Sequence, residues 1–403
     1  KRYAESHIDN VTAPDGRISL EKGHTHSYLG TLRGLLLYGE ISKQQHYVDR
    51  VLKTYRIGVT EKLIKKTGFT SHEVETQNGE DASSGDIAQL ALWLATRHGQ
   101  LDLLDDVERI VRARLLPSQV ITAPPIKPRN DGKTGPVFDL TSRPDKQIVA
   151  TADAFRQLNE RIIGGYGGCH PRPHGWKTVT QDVTAAIIHT LIDIYQHIVV
   201  REENGLRVLF HFDYTDYEIE LTSVRNKEAH LNISLKESTD LFVRIPGWVP
   251  RESVEIEMVG KSVEPEWQDN FLFFASSDFP ADVTIRYALP IAEETETIAG
   301  TEYHLVWRGD EVIGIRPNEE VLPYYPSWTK EIGAEESLSN ETHRESRVDL
   351  RKRMELAGQN LINMLHPEYD YLPSFLILVE PGYRVERQTF FMSHNIGRWI
   401  DAM

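Results

Sequence analysis

Two carboxylates stand at alternate positions in Ser71-His72-Glu73-Val74-Glu75, directly behind a histidine. In extended backbone, side chains two apart share a face, so Glu73 and Glu75 could work together. Cleavage of a glycosidic bond asks for such a pair. One carboxyl acts as acid and the other as nucleophile or base, about 5–5.5 Å apart for retention and ~6.5–9.5 Å for inversion. A carboxylate near a helix start is also an ordinary partner of the helix dipole, and Asp86, Asp182 and Asp401 have the same two readings. His24, His26, His72, His170 and His174 gather in loops and at helix starts, where they could donate to sugar hydroxyls or simply cap helices. A further polar group, His394 and Asn395 followed by Arg398 and Trp399, lies near the end of the chain. Trp176, Tyr166, Trp328 and Trp399 offer ring faces on which a sugar could stack, although aromatic residues equally fill cores.

Composition narrows the classes of function. The 403 residues carry 60 acidic and 45 basic side chains, a formal charge of −15. Such a surface repels phosphate backbones and anionic membranes, so neither nucleic acid nor a lipid surface is an expected partner. One cysteine, Cys169, rules out an internal disulfide and multi-cysteine zinc modules. No run of about 18 apolar residues is present, as a membrane-crossing helix would need. A soluble protein is expected, cytoplasmic or periplasmic, and the lone thiol fits a reducing compartment. The expected partners are an oligosaccharide and, as one option, a second copy of the chain.

The elements that must position these residues change character near residue 204. Before it, apolar side chains recur at helical spacing in 26–40, 47–59, 101–116 and 178–200. A further helix, capped by Ser83 or Ser84, runs to about His98. A proline-rich excursion covers 121–146, and four glycines lead into Cys169 and His170 in Gly164-Gly165-Tyr166-Gly167-Gly168-Cys169-His170. After it, short strands alternate apolar and polar residues at 206–212, 217–221, 230–235, 241–245, 271–274, 283–287, 303–307 and 312–315, the pattern of a β-sandwich. Helical periodicity returns near Leu350 and again from Ser393. The division expected is a helical segment at 1–203, a sandwich at 204–330 and a second helical segment at 346–403.

Three stretches resemble glycoside hydrolase family 127, the β-L-arabinofuranosidase family. They are His24-Thr25-His26-Ser27-Tyr28-Leu29-Gly30, the glycine-rich turn into Cys169, and Phe242-Val243-Arg244-Ile245-Pro246-Gly247-Trp248, the last being the most specific. The similarity covers most of residues 20–325. It implies an α+β multidomain chain, an (α/α)6 helical toroid with an antiparallel β-sandwich. Since the segment after Ser346 resembles the opening helices of such a barrel, barrel segments stand both before and after the sandwich. By the same resemblance Cys169 occupies the place of a nucleophilic thiolate held on zinc, and His170 that of a second cysteine. The family's further Glu-x-Cys ligands fall on Ala82 and Ser84, neither of which suits zinc. The metal cage is therefore expected to be absent or rebuilt: no cofactor is expected, and zinc only at Cys169 and His170. Glu73 takes the role of general acid.

The resulting expectation is a glycoside hydrolase that acts on plant or algal oligosaccharides. Glu73, Cys169 and Glu75 are its catalytic candidates. His26, His72, His170, His174, Trp176, His394, Asn395 and Trp399 are expected around the sugar. Two rival readings stay open. One is a polysaccharide lyase that holds a uronate with Arg172, Lys177 and Arg398 beside Tyr166; the other is a sugar-binding protein without catalysis.

Overall fold

Every residue from Asp81 to Leu92 is buried, so the helix they open belongs to the interior of the molecule. Its polar members must then find partners inside the protein, because an unpaired buried polar group costs about 1–3 kcal/mol. A computed structural model describes residues 2–74, 76, 78–123, 136–137, 148–149, 157–170, 173–276, 282–318, 322–328, 346–367, 371–373, 376–378 and 384–386. The helices are α1 (Arg2–Asn10), α2 (Thr25–Ser42), α3 (Gln45–Thr54), α4 (Asp81–His98), α5 (Leu103–Ile110), α6 (Leu158–Arg161), α7 (Gln181–Gln196) and α8 (Leu350–Asn363). Wider-wound turns extend α3 through Tyr55–Leu63 and α5 through Val111–Leu115. Helix α4 is central and packs against α2, α5 and α7. It stops at Gly99, whose φ of 70° gives the left-handed cap that suits glycine.

The chain is thus a mixture of helices and β-sheets. One sheet runs in the order Lys261–Val263, Glu255–Met258, Asp282–Ala288, Glu228–Leu235, Ile219–Arg225, Ser346–Arg347, with Tyr214–Thr215 also on Ile219–Arg225. A second runs Trp267–Gln268, Phe271–Phe274, Leu241–Arg244, Gly205–Val208, Val199–Glu202. A third consists of Ile291–Ile298, Thr301–Arg308 and Glu311–Arg316. The first sheet buries every second residue, as Ile219, Leu221, Ser223 and Arg225 do, which is the alternation the sequence displays. Helices and the first two sheets share one continuous apolar cluster, from Leu29 and Leu90 through Val208 and Val243 to Ile285 and Leu361.

Several expectations are corrected. The sheets are not wholly antiparallel, since Gly205–Val208 and Leu241–Arg244 run parallel. The boundary at 203/204 falls in the turn of a hairpin, because Val199–Glu202 is a strand paired with Gly205–Val208. The long helix of 178–200 is really Gln181–Gln196 between two strands. Helix α4 begins two residues before Ser83, so neither Ser83 nor Ser84 caps it. The segment after Ser346 is not purely helical. It opens as a strand on the first sheet, continues as α8 against α7, and returns as Leu376–Leu378 beside Thr178–Thr180. The glycine-rich turn explains that return: Gly164 has φ of 91°, and a Cβ there would lie 2.0 Å from the Leu356 carbonyl oxygen of α8. The excursion at 121–146 and the helix expected from Ser393 lie outside the described residues, apart from 121–123 and the strand Pro136–Val137.

A buried ionic knot ties the layers together. Glu108 of α5 receives Arg112 at 2.9 Å and also Arg244, while Arg244 reaches Asp105 as well. Arg225 and Arg112 both reach Asp310, at 2.6 and 3.7 Å. Three guanidiniums thus face three carboxylates. His211 closes the knot, accepting from or donating to Tyr287 at 2.7 Å and meeting the Arg244 carbonyl at 2.8 Å. Here the Arg244-Ile245-Pro246-Gly247-Trp248 stretch has its role. Its strand end supplies Arg244, and the Gly247 amide donates to Asp105 at 2.9 Å. A Cβ on Gly247 would meet that carboxylate at 2.8 Å.

Removing one side of such a knot strands the other. Arg244→Met is expected to cost about 3–5 kcal/mol in urea unfolding, because Glu108 is left buried with Arg112 alone and Asp105 loses its guanidinium. Arg286→Met breaks only the half-exposed pair with Glu257 and should change stability by under about 1 kcal/mol. Burial, then the nearby Arg244 charge, lowers His211 to about 4, and burial with Arg50 lowers His7 to about 4. Both are neutral when folded and bind protons more readily once unfolded. Their contribution is therefore complete above about 6.5 and is lost as pH falls from there toward 4. The urea midpoint should decline over that window, and His7→Gln should flatten the decline.

Candidate functional site

Four short backbone segments meet at the N-terminal ends of α2 and α4. His24 bridges to Glu73, the Thr25 amide donates to the His72 carbonyl at 3.0 Å, and the Val74 amide donates to Gly23 at 2.8 Å. On the far side, Ser71 bridges to Gly79, and Gly79–Glu80 pairs with Gly168–His170. The result is a narrow ladder: 23–25, then 71–74, then 79–80, then 168–170. It brings together stretches up to about 145 positions apart in the chain, His24 through His170. Helix N-termini carry partial positive charge, which favours the carboxylates Glu73 and Glu80 beside them.

The side chains on this ladder form two connected groups. In the first, His72 stands between two glutamates. Its Nδ1 lies 3.2 Å from Glu80 Oε2 and its Nε2 3.6 Å from Glu73 Oε1. His24 Nδ1 lies 3.1 Å from the His72 carbonyl oxygen, and the two rings are 4.7 Å apart. Glu80 also accepts from the Ser83 hydroxyl at 3.3 Å. Burial alone would push the Glu80 carboxyl up. The hydrogen bond from His72 and the fields of His72, His26 and His24 outweigh it and hold the group below its ordinary value. Glu73 is the outward member, its side chain 40% exposed against 5% for Glu80.

The second group runs inward. His26 Nδ1 bonds Asp86, and Arg33 pairs with the other oxygen of Asp86 at 2.8 Å. Arg33 then bonds Gln89, which donates to Asp193 at 3.0 Å, and the Trp93 indole donates to the same carboxylate at 2.6 Å. Helices α2, α4 and α7 are thereby joined through polar side chains. Behind the ladder Asp81 and Arg114, both fully buried, pair at 2.7 Å, and Arg114 donates to the Pro173 carbonyl at 2.6 Å. The start of α4 is held rigidly by this pair.

Of the expected site residues, His26, His72 and Glu73 come together here. Cys169 and His170 place their backbone in the strand that pairs with Gly79–Glu80. Glu75, His394, Asn395 and Trp399 lie outside the described residues. His174 is 1% exposed and stands edge-on to Tyr303 at 4.8 Å, an aromatic packing position. Trp176 is half-buried, and its indole donates to the Ser118 carbonyl at 2.6 Å. Tyr166 and Trp328 are sealed in the interior, so neither presents a face for stacking. Glu80 and Arg33 were not singled out by sequence. The available signal was spacing: His26 and Arg33 are seven apart on α2, and Asp86 and Gln89 three apart on α4, each pair on one helix face.

The metal cage implied by the resemblance does not fit. Ala82 has no ligating atom, and the Ser84 hydroxyl is spent on the Gly68 carbonyl at 2.7 Å and Thr70 at 3.1 Å. Among the described residues, His24, His72 and Glu73 form a group whose ligand atoms lie within 4.8 Å of one another. A cleft of about 400 Å³ opens elsewhere, lined by Asp105, Arg207, Arg244 and Gly247. Its charged walls are already engaged, Arg244 with Asp105 and Arg207 with Glu202. Among the described residues, no helix is long and apolar enough to cross a membrane.

No family model matches the chain, and no curated protein matches it. Solved structures similar to it include a family 127 β-L-arabinofuranosidase from Geobacillus stearothermophilus, with 13% identity, a TM-score of 0.47, and coverage of 77% of this chain and 49% of that one. A second family 127 β-arabinofuranosidase shows 14% identity and a TM-score of 0.48, over 77% of this chain and 50% of the other. A structure described as a glycoside hydrolase shows 12% identity and a TM-score of 0.44, over 72% and 51%. The chain spans about half the length of these structures.

Glu80 is the group whose removal the geometry makes most legible. A carboxyl held low contributes stability that is present above its ordinary value of 4.5 and is lost as pH falls below that value. Glu80→Gln should therefore destabilise the protein at neutral pH by about 1.5–3 kcal/mol, as for a hydrogen bond to a charged group. The gap to the parent should close toward pH 3 in urea titrations. A gap that stays constant with pH would contradict an ionised Glu80.

Proposed function

We propose that the chain is part of a glycoside hydrolase acting on an oligosaccharide from its non-reducing end, β-L-arabinofuranosidase-like in substrate class. The helices are read as part of an (α/α)6 toroid, the first two sheets as a β-sandwich, and the histidine ladder as the mouth of the toroid. The observation that carries the proposal is the Glu73–His72–Glu80 row. It sets a half-exposed carboxyl and a buried, ionised one on opposite sides of a single imidazole.

Each member has a task in that reading. Glu73 faces outward and protonates the leaving oxygen. Glu80 holds the His72 ring by its Nδ1, so that Nε2 faces Glu73 and orients its carboxyl. His24 and His26 are placed to hydrogen-bond sugar hydroxyls, with Asp86 and Arg33 fixing His26 from behind. Cys169, at the strand beside Glu80, is the proposed second catalytic residue, through its thiolate. Glu73, Cys169 and the histidines recur in the order that the sequence resemblance assigns them.

Turnover of aryl α- and β-arabinofuranosides, and of other arylglycosides, tests the reading. Loss of a general acid typically removes about 10²–10⁴-fold in rate. Glu73→Gln should fall in that range with far-UV circular dichroism unchanged. Aryl substrates with good leaving groups, which need less protonation, should lose less than poor ones. Unchanged turnover in Glu73→Gln would remove Glu73 from the mechanism.

A further inference from the structure

The Glu73–His72–His24 corner has a second property, independent of whether the chain cleaves a sugar. Both imidazoles have their Nδ1 occupied. His72 Nδ1 faces Glu80 Oε2 at 3.2 Å, and His24 Nδ1 faces the His72 carbonyl oxygen at 3.1 Å. Each acceptor draws the ring proton to Nδ1 and leaves the lone pair on Nε2. A carboxylate or backbone carbonyl behind the ring is the support that a metal-ligating histidine receives, because it fixes the tautomer and raises the basicity of the opposite nitrogen. The Glu73 carboxylate lies on the ligating side of His72, 3.6 Å from its Nε2, and 3.9 Å from His24 Nδ1.

We propose that His24, His72 and Glu73 form a binding site for one divalent cation of the zinc class, with Glu80 as its supporting carboxylate. Three lines of chemistry converge on this. Two imidazoles and a carboxylate are the donors of three-ligand zinc sites, which leave a fourth position to water or substrate. The ligand atoms lie within 4.8 Å of one another, so side-chain rotation can close them onto an ion at about 2.0–2.2 Å. The charges also match: a dication would sit beside the carboxylates of Glu73 and Glu80.

Exposure supports entry of the ion. The side chains of His24 and Glu73 are 37% and 40% accessible, while Glu80 behind them is buried. The donor set contains no cysteine, so it differs from the cage implied by the sequence resemblance, whose positions Ala82 and Ser84 do not serve. An ion here would make Glu73 a ligand instead of a proton donor. The metal-loaded and acid-competent forms would then be alternative states of one corner.

The test reads metal binding and needs no turnover. Tag-free protein is stripped with a chelator and titrated with zinc by calorimetry, and with cobalt by visible absorption. One ion per chain is expected, with His24→Ala, His72→Ala and Glu73→Gln each weakening binding at least tenfold. Glu80→Gln should weaken it by about 10–100-fold, as loss of a supporting group does. Cys169→Ser should bind as the parent does. Circular dichroism identifies any variant that fails to fold. For the unaltered protein the cobalt spectrum decides alone: d–d bands without a thiolate charge-transfer band support the site. Absence of a stoichiometric ion, a thiolate band, or loss of binding in Cys169→Ser with retention in His72→Ala would each overturn it.

Discussion

The knot of Arg112, Arg225 and Arg244 with Asp105, Glu108 and Asp310 is the constraint on which the rest of the structure depends. Its members come from α5, from the turn that extends it, from both larger sheets and from the hairpin of the third. Charges this deep are tolerated only in company, since each left alone would cost several kcal/mol. The helices and sheets must therefore dock in one register, the one that neutralises all six groups. Burial of Leu, Val and Ile supplies the bulk of the stability but is indifferent to small slides. The knot is not indifferent. Burial, the largest single influence on Glu108, would raise its carboxyl, yet Arg112 and Arg244 together with the other nearby cations outweigh it and hold the group low.

A second set of buried polar pairs does for the site what the knot does for the fold. Helix α4 is interior, yet it carries Asp81, Asp86 and Gln89 on its buried surface. Each is answered from another element, Asp81 by Arg114, Asp86 by His26 and Arg33, Gln89 by Arg33 and Asp193. These pairs fix the start of α2 relative to the start of α4. The ladder of 23–25, 71–74 and 79–80 hangs between those starts, so the imidazoles of His24 and His72 inherit a defined position. Preorganisation of this kind is what separates a cluster of polar residues from a site.

Much of the fold was legible along the chain. Helical spacing located α2, α5 and the body of α7, and alternation located eight of the strands, because burial on one face imposes a period in both kinds of element. The unseen strands have another cause. Lys261–Val263 and most of Ile291–Ile298 face water, so no sustained apolar alternation marks them, and Glu255–Met258 alternates over only four residues. The start of α4 was misplaced because Ser83 and Ser84 look like caps, whereas both hydroxyls bond within the interior. The Arg244–Trp248 stretch was recognisable by its rarity, yet its role as a docking strap depends on Asp105 and Glu108, more than 130 positions earlier.

By itself the sequence determined the residue types and the local periods: helices first, strands after about residue 204, an acidic surface, one thiol, and histidines near the start of α2. Those follow from side-chain chemistry and from neighbours a few positions apart. Only tertiary structure decided which polar residues meet. Glu80 sits eight positions beyond His72 and gave no local signal, but the bridge of Ser71 to Gly79 brings it back onto the ring. His174 and Tyr166 were as promising as His72 until packing enclosed them. A site is a relation between side chains across backbone segments, set by the docking of buried charges, and no window along the chain contains it.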